Sequence, residues 1–187
     1  MPPTTAPHPT GHPPLRIESL RAVVAPIDFA TVRGDDADPA LDEFRRAVAD
    51  VRLEVFVDEQ RVPLALEIDA RDFAATTIHV LARGADGAPL GTARLLLEPD
   101  HPGQVHLGRL AVRRAARGTG LGARLVAAVE QAALQNAAVQ GAVTVVLSAQ
   151  EQAMDFYRRC GYHVITGERY LDAGIWHQDM ARTLHRS

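Results

Sequence analysis

Leu110-Ala111-Val112-Arg113-Arg114-Ala115-Ala116-Arg117-Gly118-Thr119-Gly120-Leu121-Gly122-Ala123-Arg124 is the stretch on which the reading of this chain turns. An apolar run ends at Val112, arginines follow, and Gly118, Gly120 and Gly122 introduce a helix-periodic segment. Glycine permits a tight turn and close approach of backbone to a ligand. The first amides of a helix have no internal partner and carry the positive end of the helix dipole, so a pyrophosphate satisfies both. Each charge-assisted bond contributes about 1.5–3 kcal/mol, so a few amides suffice to anchor a phosphate group. Arg113, Arg114, Arg117 and Arg124 add local positive charge to a chain of net charge -3. Spacing alone leaves open a glycine-rich turn with no ligand. A dinucleotide fold would want an acid about 20 residues on, closing a second strand; Ser148 stands after the apolar run 143–147 instead. The ATP-type loop is also missing, since no Gly-Lys-Ser or Gly-Lys-Thr is present.

Downstream, Leu121, Leu125, Ala128, Val129, Ala132 and Ala133 share one face of a long helix that Gly141 ends. Residues 143–147 read as a short buried strand. Ser148 to Glu151 has capping-box form, with Ser148 as N-cap. Ala153, Phe156, Tyr157 and Cys160 then line a short helix stopped by Gly161, and strands over 162–166 and 175–182 close the domain. Upstream, 104–112, 90–97 and 78–82 are strand runs, the last two joined by a hairpin at 84–87. Asp38-Pro39 predicts a helix start, with Leu41, Phe44, Val48, Val51 and Val55 on one face to about Val57. Residues 26–37 read as loop and 15–24 as a loosely alternating first strand. The sum is a mixed α/β sheet with helices on it.

The chain has 187 residues, of which 47% are apolar, enough for one domain with a real core. Its 23 acids and 20 bases give no global reason to expect nucleic acid or an anionic membrane as partner. Cys160 is the single cysteine, so no internal disulfide forms. No apolar run reaches the roughly 18–20 residues of a membrane span. Met1 to Pro14 has neither the basic start nor the apolar stretch of a signal peptide. It reads as a disordered arm ahead of a domain over 15–187, and the setting reads as cytoplasmic. No His-Glu-x-x-His and no paired cysteines appear, so no metal site is expected.

The run Leu110-Ala111-Val112, followed by Arg117-Gly118-Thr119-Gly120-Leu121-Gly122, resembles the acetyl-CoA motif of the GNAT superfamily of N-acyltransferases. Ala153-Met154-Asp155-Phe156-Tyr157 through Gly161-Tyr162 resembles that superfamily's next signature. The front half is similar to the ElaA/YjcF-like branch: Arg52 to Phe56 and on to Gln60, then Glu67, Asp69 and Asp72, His79, and Gly91 to Arg94. The tail from Ala173 through His177 to Met180 fits the same branch. The resemblance implies a mostly antiparallel sheet with splayed central strands and flanking helices. It implies acetyl-CoA as cosubstrate and a primary amine of a small molecule as acceptor, attacking the thioester directly. Residues implied at the CoA site are Leu110, Ala111 and Val112, the turn from Arg117 to Ala123, and Ser148, Ala153 and Phe156. Arg52, Phe56, Glu67, Asp69, Asp72 and Arg94 are implied around the acceptor.

Such a reaction has two proton problems. An alkyl amine of pKa near ~10 is only about 0.1% neutral at pH 7, and the leaving thiolate needs a proton. Tyr157 matches the family tyrosine assigned as the acid; a core aromatic beside Phe156 is the alternative. His106 and His79 are the candidates for the base, being histidines on or near strands that lead to the site. Glu54, Glu59, Glu67, Asp69 and Asp72 form an acidic concentration that would draw a cationic amine, unless Arg52 and Arg94 neutralise it. The pattern Arg52-x-x-x-Phe56 with Glu67, Asp69, Asp72 and Arg94 also resembles acyl-homoserine-lactone synthases, which lack the glycine-rich turn. A non-catalytic acyl-CoA-binding or interaction module on the same scaffold is the rival of another class. A homodimer is compatible with the sequence and not required by it.

Overall fold

The computed structural model describes residues 26–186. The expected arm over 1–14 and the expected strand over 15–24 lie outside the described residues. Seven strands form one sheet in the order β1-β2-β3-β4-β5-β7-β6. They are β1 (Asp28–Arg33), β2 (Thr77–Arg83), β3 (Pro89–Leu97), β4 (Gln104–Val112), β5 (Ala142–Gln150), β6 (His163–Asp172) and β7 (Ile175–His185). Every neighbouring pair is antiparallel except β4 and β5. The helices are α1 (Asp42–Arg52), α2 (Leu64–Glu67), α3 (Leu121–Ala137) and α4 (Met154–Arg159).

Strand alternation sorts the two layers. Ile78, Val80 and Ala82 of β2 face the cluster that holds Leu121, Leu125 and Val129 of α3. Leu81, one residue out of phase, faces Phe44, Ala47 and Val48 of α1. Helices therefore cover both faces of the sheet. The predicted start of the first helix is found: Asp38 accepts a bond from the Ala40 amide at 2.9 Å, and Pro39 opens a 3-10 turn into α1. The helix runs past Val57, because a π-helical turn over Leu53–Glu59 continues α1. The hairpin between β2 and β3 closes where expected, with Gly84 and Ala88 bonded across it at 2.9 Å.

Two local expectations are corrected. Residues 26–37 are not all loop: Asp28–Arg33 is an edge strand on β2, with Ala30 and Val32 packed against the α1 cluster. Its short length and flanking Pro26 and Gly34 hid it. Ser148 is not a helix cap. β5 runs on to Gln150, which lies opposite His177 of β7, so Ser148 stays in the sheet. Its hydroxyl meets the Tyr170 hydroxyl, and the 3-10 turn Glu151–Ala153 leads into α4 with no side-chain cap.

The centre of the sheet positions the site. β4 and β5 pair from Gln104 opposite Thr144 to Leu107 opposite Leu147, and no further. Beyond that point β4 stays with β3 and β5 stays with β7, so the sheet parts between residues 108–112 and 148–150. The β3–β4 register slips by one residue between Thr92 and Arg94. Arg109, in the bulged part of β4, has φ 52°, a left-handed backbone rare for a branched side-chain residue.

Leu125 of α3 is fully buried against the sheet. Leu125→Ala is expected to destabilise the protein by about 2–5 kcal/mol, read as a lowered urea midpoint with little change in slope.

Candidate active site

The glycine turn is built as a cradle. Gly118 and Gly120 have φ of 78° and 83°, and a β-carbon at either would meet nothing within 4 Å. Open space and left-handed backbone together explain why glycine stands there. Gly120 is the N-cap of α3 and no side chain caps the helix, so the Leu121, Gly122 and Ala123 amides face outwards unpaired. Gly122 serves packing as well: a β-carbon there would lie 3.2 Å from the Phe156 ring. The turn borders a groove of about 770 Å³ that also touches Leu110, Val112 and Ala153.

The four arginines near this turn are largely spoken for. Arg117 bonds Glu59 at 2.7 Å and the Val112 carbonyl at 2.9 Å. Arg113 lies 2.9 Å from Glu54, and Arg124 stacks over Phe29 with 5.4 Å to the ring centre. Arg114 is mostly exposed, 4.0 Å from Glu59. The cradle thus rests on backbone amides and the helix dipole more than on free cations.

A second cleft, of about 450 Å³, opens where β4 and β5 part. Both clefts touch Gln60, Leu110, Gln152, Ala153 and Phe156, so they are one continuous groove. Tyr157 of α4 lines the second part, with its ring edge-on to Phe156 at 5.0 Å and Tyr162 at 5.9 Å. Burial, with a smaller contribution from Cys160, pushes its phenol far above the usual value. The group therefore keeps its proton throughout the neutral range and has a hydrogen to donate. Ser148 lines this inner part and not the glycine-turn part.

The five acids singled out in the sequence, Glu54, Glu59, Glu67, Asp69 and Asp72, are all matched by arginines. Arg52 bonds Glu67 at 2.5 Å and Asp72 at 2.7 Å. Arg94 reaches Asp69 at 3.0 Å and Asp72 at 2.8 Å, and Arg109 lies 3.2 Å from Glu67. With Glu54 on Arg113 and Glu59 on Arg117, each of the five acids has a cation. The expectation of a free acidic field at the substrate mouth is corrected. These side chains form a neutral ionic core, with Arg52, Glu67, Asp72 and Arg94 all buried. Burial opposes ionisation of Asp72, but Arg52, the Asp69 amide and Arg94 outweigh it and hold the carboxyl at about 2. Of the acceptor candidates, Phe56 and Glu67 border the Tyr157 cleft. Arg52 and Asp72 instead border a separate apolar cavity of about 250 Å³ under α1. Asp69 and Arg94 border neither.

The two histidines expected near the chemistry are elsewhere. His79 is buried under α1, with Nε2 2.8 Å from the Asp72 carbonyl, and it lines that separate cavity. His106 bonds Glu98 at 3.0 Å from its Nδ1, on the stretch of β4 that is still paired to β5. Neither borders the cleft with Tyr157. The histidine that does is His177 of β7, joined there by Gln150 and Arg109. The neighbours of His177 along β7 carry no local pattern that sets it apart from His79 or His106.

A family profile for the acetyltransferase (GNAT) domain matches residues 44–184. An uncharacterised N-acetyltransferase, YjcF, of Bacillus subtilis is 38% identical over 133 residues, 71% of this chain and 87% of the relative. An acyl-CoA N-acyltransferase of Pseudomonas aeruginosa has the same fold, with TM-score 0.69 and 34% identity over 84% of this chain and 99% of that one. Escherichia coli ElaA is similar at TM-score 0.70 and 28% identity, covering 83% and 99% of the two chains.

Two outcomes are expected from this geometry. Gly120→Val places a branched side chain over the cradle and strains a left-handed residue by about 1–2 kcal/mol. CoA affinity, measured by calorimetric titration on the folded variant, is expected to fall more than the stability loss accounts for; unchanged affinity rejects the cradle. Asp72→Asn strips charge from two buried arginines and is expected to cost about 3–5 kcal/mol. Because the Asp72 carboxyl is held at about 2 against an ordinary 3.8, its contribution is complete above 3.8 and lost as pH falls towards 2. The gap in urea midpoint between wild type and variant should therefore narrow over that acid window.

Proposed function

The chain belongs to the GNAT acetyltransferase family, and from that premise we propose that it moves an acetyl group from acetyl-CoA to the primary amine of a small molecule by direct attack. The observation that carries this reading is the continuity of the glycine-turn groove with the Tyr157 cleft through Leu110, Ala153 and Phe156. In this reading the pyrophosphate sits on the amides of residues 118–123. The pantetheine arm then follows the parted edge of β4, where backbone groups of Leu110 and Val112 meet its amides as a further strand would. That path delivers the thioester to the gap in the sheet, beside Tyr157. A donor hydrogen bond there can also polarise the thioester carbonyl.

Tyr157 is the acid of the reaction. As the C–S bond breaks, the phenol donates its hydrogen bond and then its proton to the developing thiolate; its raised pKa keeps the proton in place across the neutral range and opposes complete transfer, so the phenolate must be reprotonated at once. The acids at 54, 59, 67, 69 and 72 are matched by arginines, so the shape of the inner cleft and Asp172 in its lining are what select the acceptor. Acetyl is the acyl group that asks least of its about 450 Å³. The functional unit is taken as residues 15–187. A cytoplasmic setting agrees with use of acyl-CoA and with the free thiol of Cys160; among the described residues no helix is long and apolar enough to cross a membrane.

Free thiol release from acetyl-CoA is the direct test. Release that rises with added primary amine, with the acetylated amine seen by mass spectrometry, is the expected result. CoA binding without amine-dependent release would make the protein an acyl-CoA-binding module. Tyr157→Phe is expected to lower turnover by about 10²–10⁴-fold where protonation limits the rate, with CoA affinity nearly unchanged. Near-full turnover would make Tyr157 a packing residue.

A further inference from the structure

We propose that His177 is the base that takes the proton from the acceptor amine, with its tautomer set by the Ile175 carbonyl; this rests on the acyl-transfer reading above. His177 is nine-tenths buried and lines the same cleft as Tyr157. Its Nδ1 lies 2.8 Å from the Ile175 carbonyl oxygen. A carbonyl oxygen can only accept, so Nδ1 carries the hydrogen and the neutral ring presents a lone pair at Nε2. Among the described residues Nε2 makes no hydrogen bond and is not sealed from solvent, and the ring it belongs to lines the cleft. A base needs this arrangement: one ring nitrogen tied to the scaffold and the other free.

The ring is also held in place. Tyr170 of β6, directly opposite His177, stacks on it with 6.1 Å between ring centres and 19° between planes. The Tyr170 hydroxyl is in turn anchored by Asp179 at 2.5 Å and by Ser148. Ser148 and Asp179 are themselves cross-strand partners, so the platform is braced by β5, β6 and β7 together. Tyr170 is accordingly a positioning residue, and Ser148, sought as a cap, belongs to the platform.

The charged groups around the ring suit the role. Asp172 lines the cleft from β6, and Asp179, two residues along β7, accepts from the Tyr170 hydroxyl. Glu151 beside α4 is paired with Arg169. Tyr157 faces the cleft as a neutral phenol. On the opposite wall Glu67 and Arg109 are paired with each other. Glu67 is the rival base in the cleft, and burial outweighs Arg52 and Arg109 to raise its carboxyl above the usual carboxylate range, but those two arginines engage both of its oxygens, whereas Nε2 of His177 is not engaged. The steps balance without any further reactant. The ammonium gives a proton to Nε2, and the freed amine forms the C–N bond. The C–S bond then breaks and the thiolate takes the Tyr157 proton. The nitrogen of the new amide still carries two hydrogens; it gives one to the Tyr157 phenolate, and the imidazolium releases its proton to water, so the products are a neutral amide, a thiol and one proton in solution.

The test compares ethylamine with 2,2,2-trifluoroethylamine, which is neutral at pH 7, as acceptors for wild type and His177→Gln at saturating acetyl-CoA. Loss of a base should lower kcat/KM for ethylamine by about 10²–10⁴-fold and erase the rising acid limb of its pH profile. Trifluoroethylamine should lose far less, and acetyl-CoA affinity should hold. Equal losses for both amines, or a surviving acid limb, overturn the proposal. Wild type that binds acetyl-CoA but acetylates neither amine overturns the acyl-transfer reading and this inference with it. Nitrogen-15 NMR of histidine-labelled wild type needs neither turnover nor a folded variant: hydrogen on Nδ1 of neutral His177 is expected, and hydrogen on Nε2 overturns the proposal.

Discussion

Two adjacent parallel strands that stop pairing halfway along their length are the constraint on which the rest of the structure depends. Past Leu107 and Leu147 the backbone edges of β4 and β5 face a gap instead of each other. Buried backbone donors and acceptors demand partners, and an edge left open inside a sheet is a template for another extended chain. The bulge at Arg109 turns the end of β4 away from β5 while its bonds to β3 continue. The gap is thereby tolerated without loss of the sheet. It also opens the groove from the glycine turn to Tyr157 and sets His177 in its wall.

The wall of that gap opposite β7 is held by charge. Three arginines, Arg52, Arg94 and Arg109, meet three carboxylates, Glu67, Asp69 and Asp72. Such a cluster gains little net stability over an apolar core, because desolvation consumes most of the attraction. What it does here is specify geometry. Asp72 also accepts the Asp69 amide at 3.1 Å, and Arg109 bonds the Leu66 carbonyl at 2.9 Å. The loop from α2 to β2 is thus tied to β3, to β4 and to the end of α1. The cluster separates the cleft, bordered by Glu67 and Arg109, from the apolar cavity bordered by Arg52 and Asp72.

The same matching of charges reshapes the electrostatics of both ends of the groove. Glu59 engages Arg117 and Glu54 engages Arg113, linking the π-helical turn after α1 to the glycine turn. At the glycine turn this leaves outward-facing amides whose direction the left-handed glycines set. At the inner end a phenol, Tyr157, and an imidazole, His177, line one cleft.

Much of the architecture was legible in the sequence. Leu121, Leu125 and Val129 at helical spacing predicted α3 and its buried face, and the glycines at 118, 120 and 122 marked the turn before it. Both are local signals: periodicity and φ above zero are written into neighbouring residues. β1 was missed because a short edge strand between Pro26 and Gly34 has turn-like flanks, and only pairing with β2 makes it a strand. Ser148 looked like a cap because Glu151 follows at capping-box spacing, yet pairing with β7 overrides that local preference. The acids from Glu54 to Asp72 showed their charge in the sequence, but not their partners, which arrive from Arg94, Arg109, Arg113 and Arg117 on other elements. Likewise the sequence could place Tyr157 on its motif, but could not tell that His177, and neither His79 nor His106, borders the same cleft. The sequence by itself determined the elements, the glycine turn and the family, because those rest on spacing along the chain. Which carboxylates are neutralised and which histidine reaches the cleft were decided by tertiary structure, because distance across a parted sheet is no function of distance along the chain.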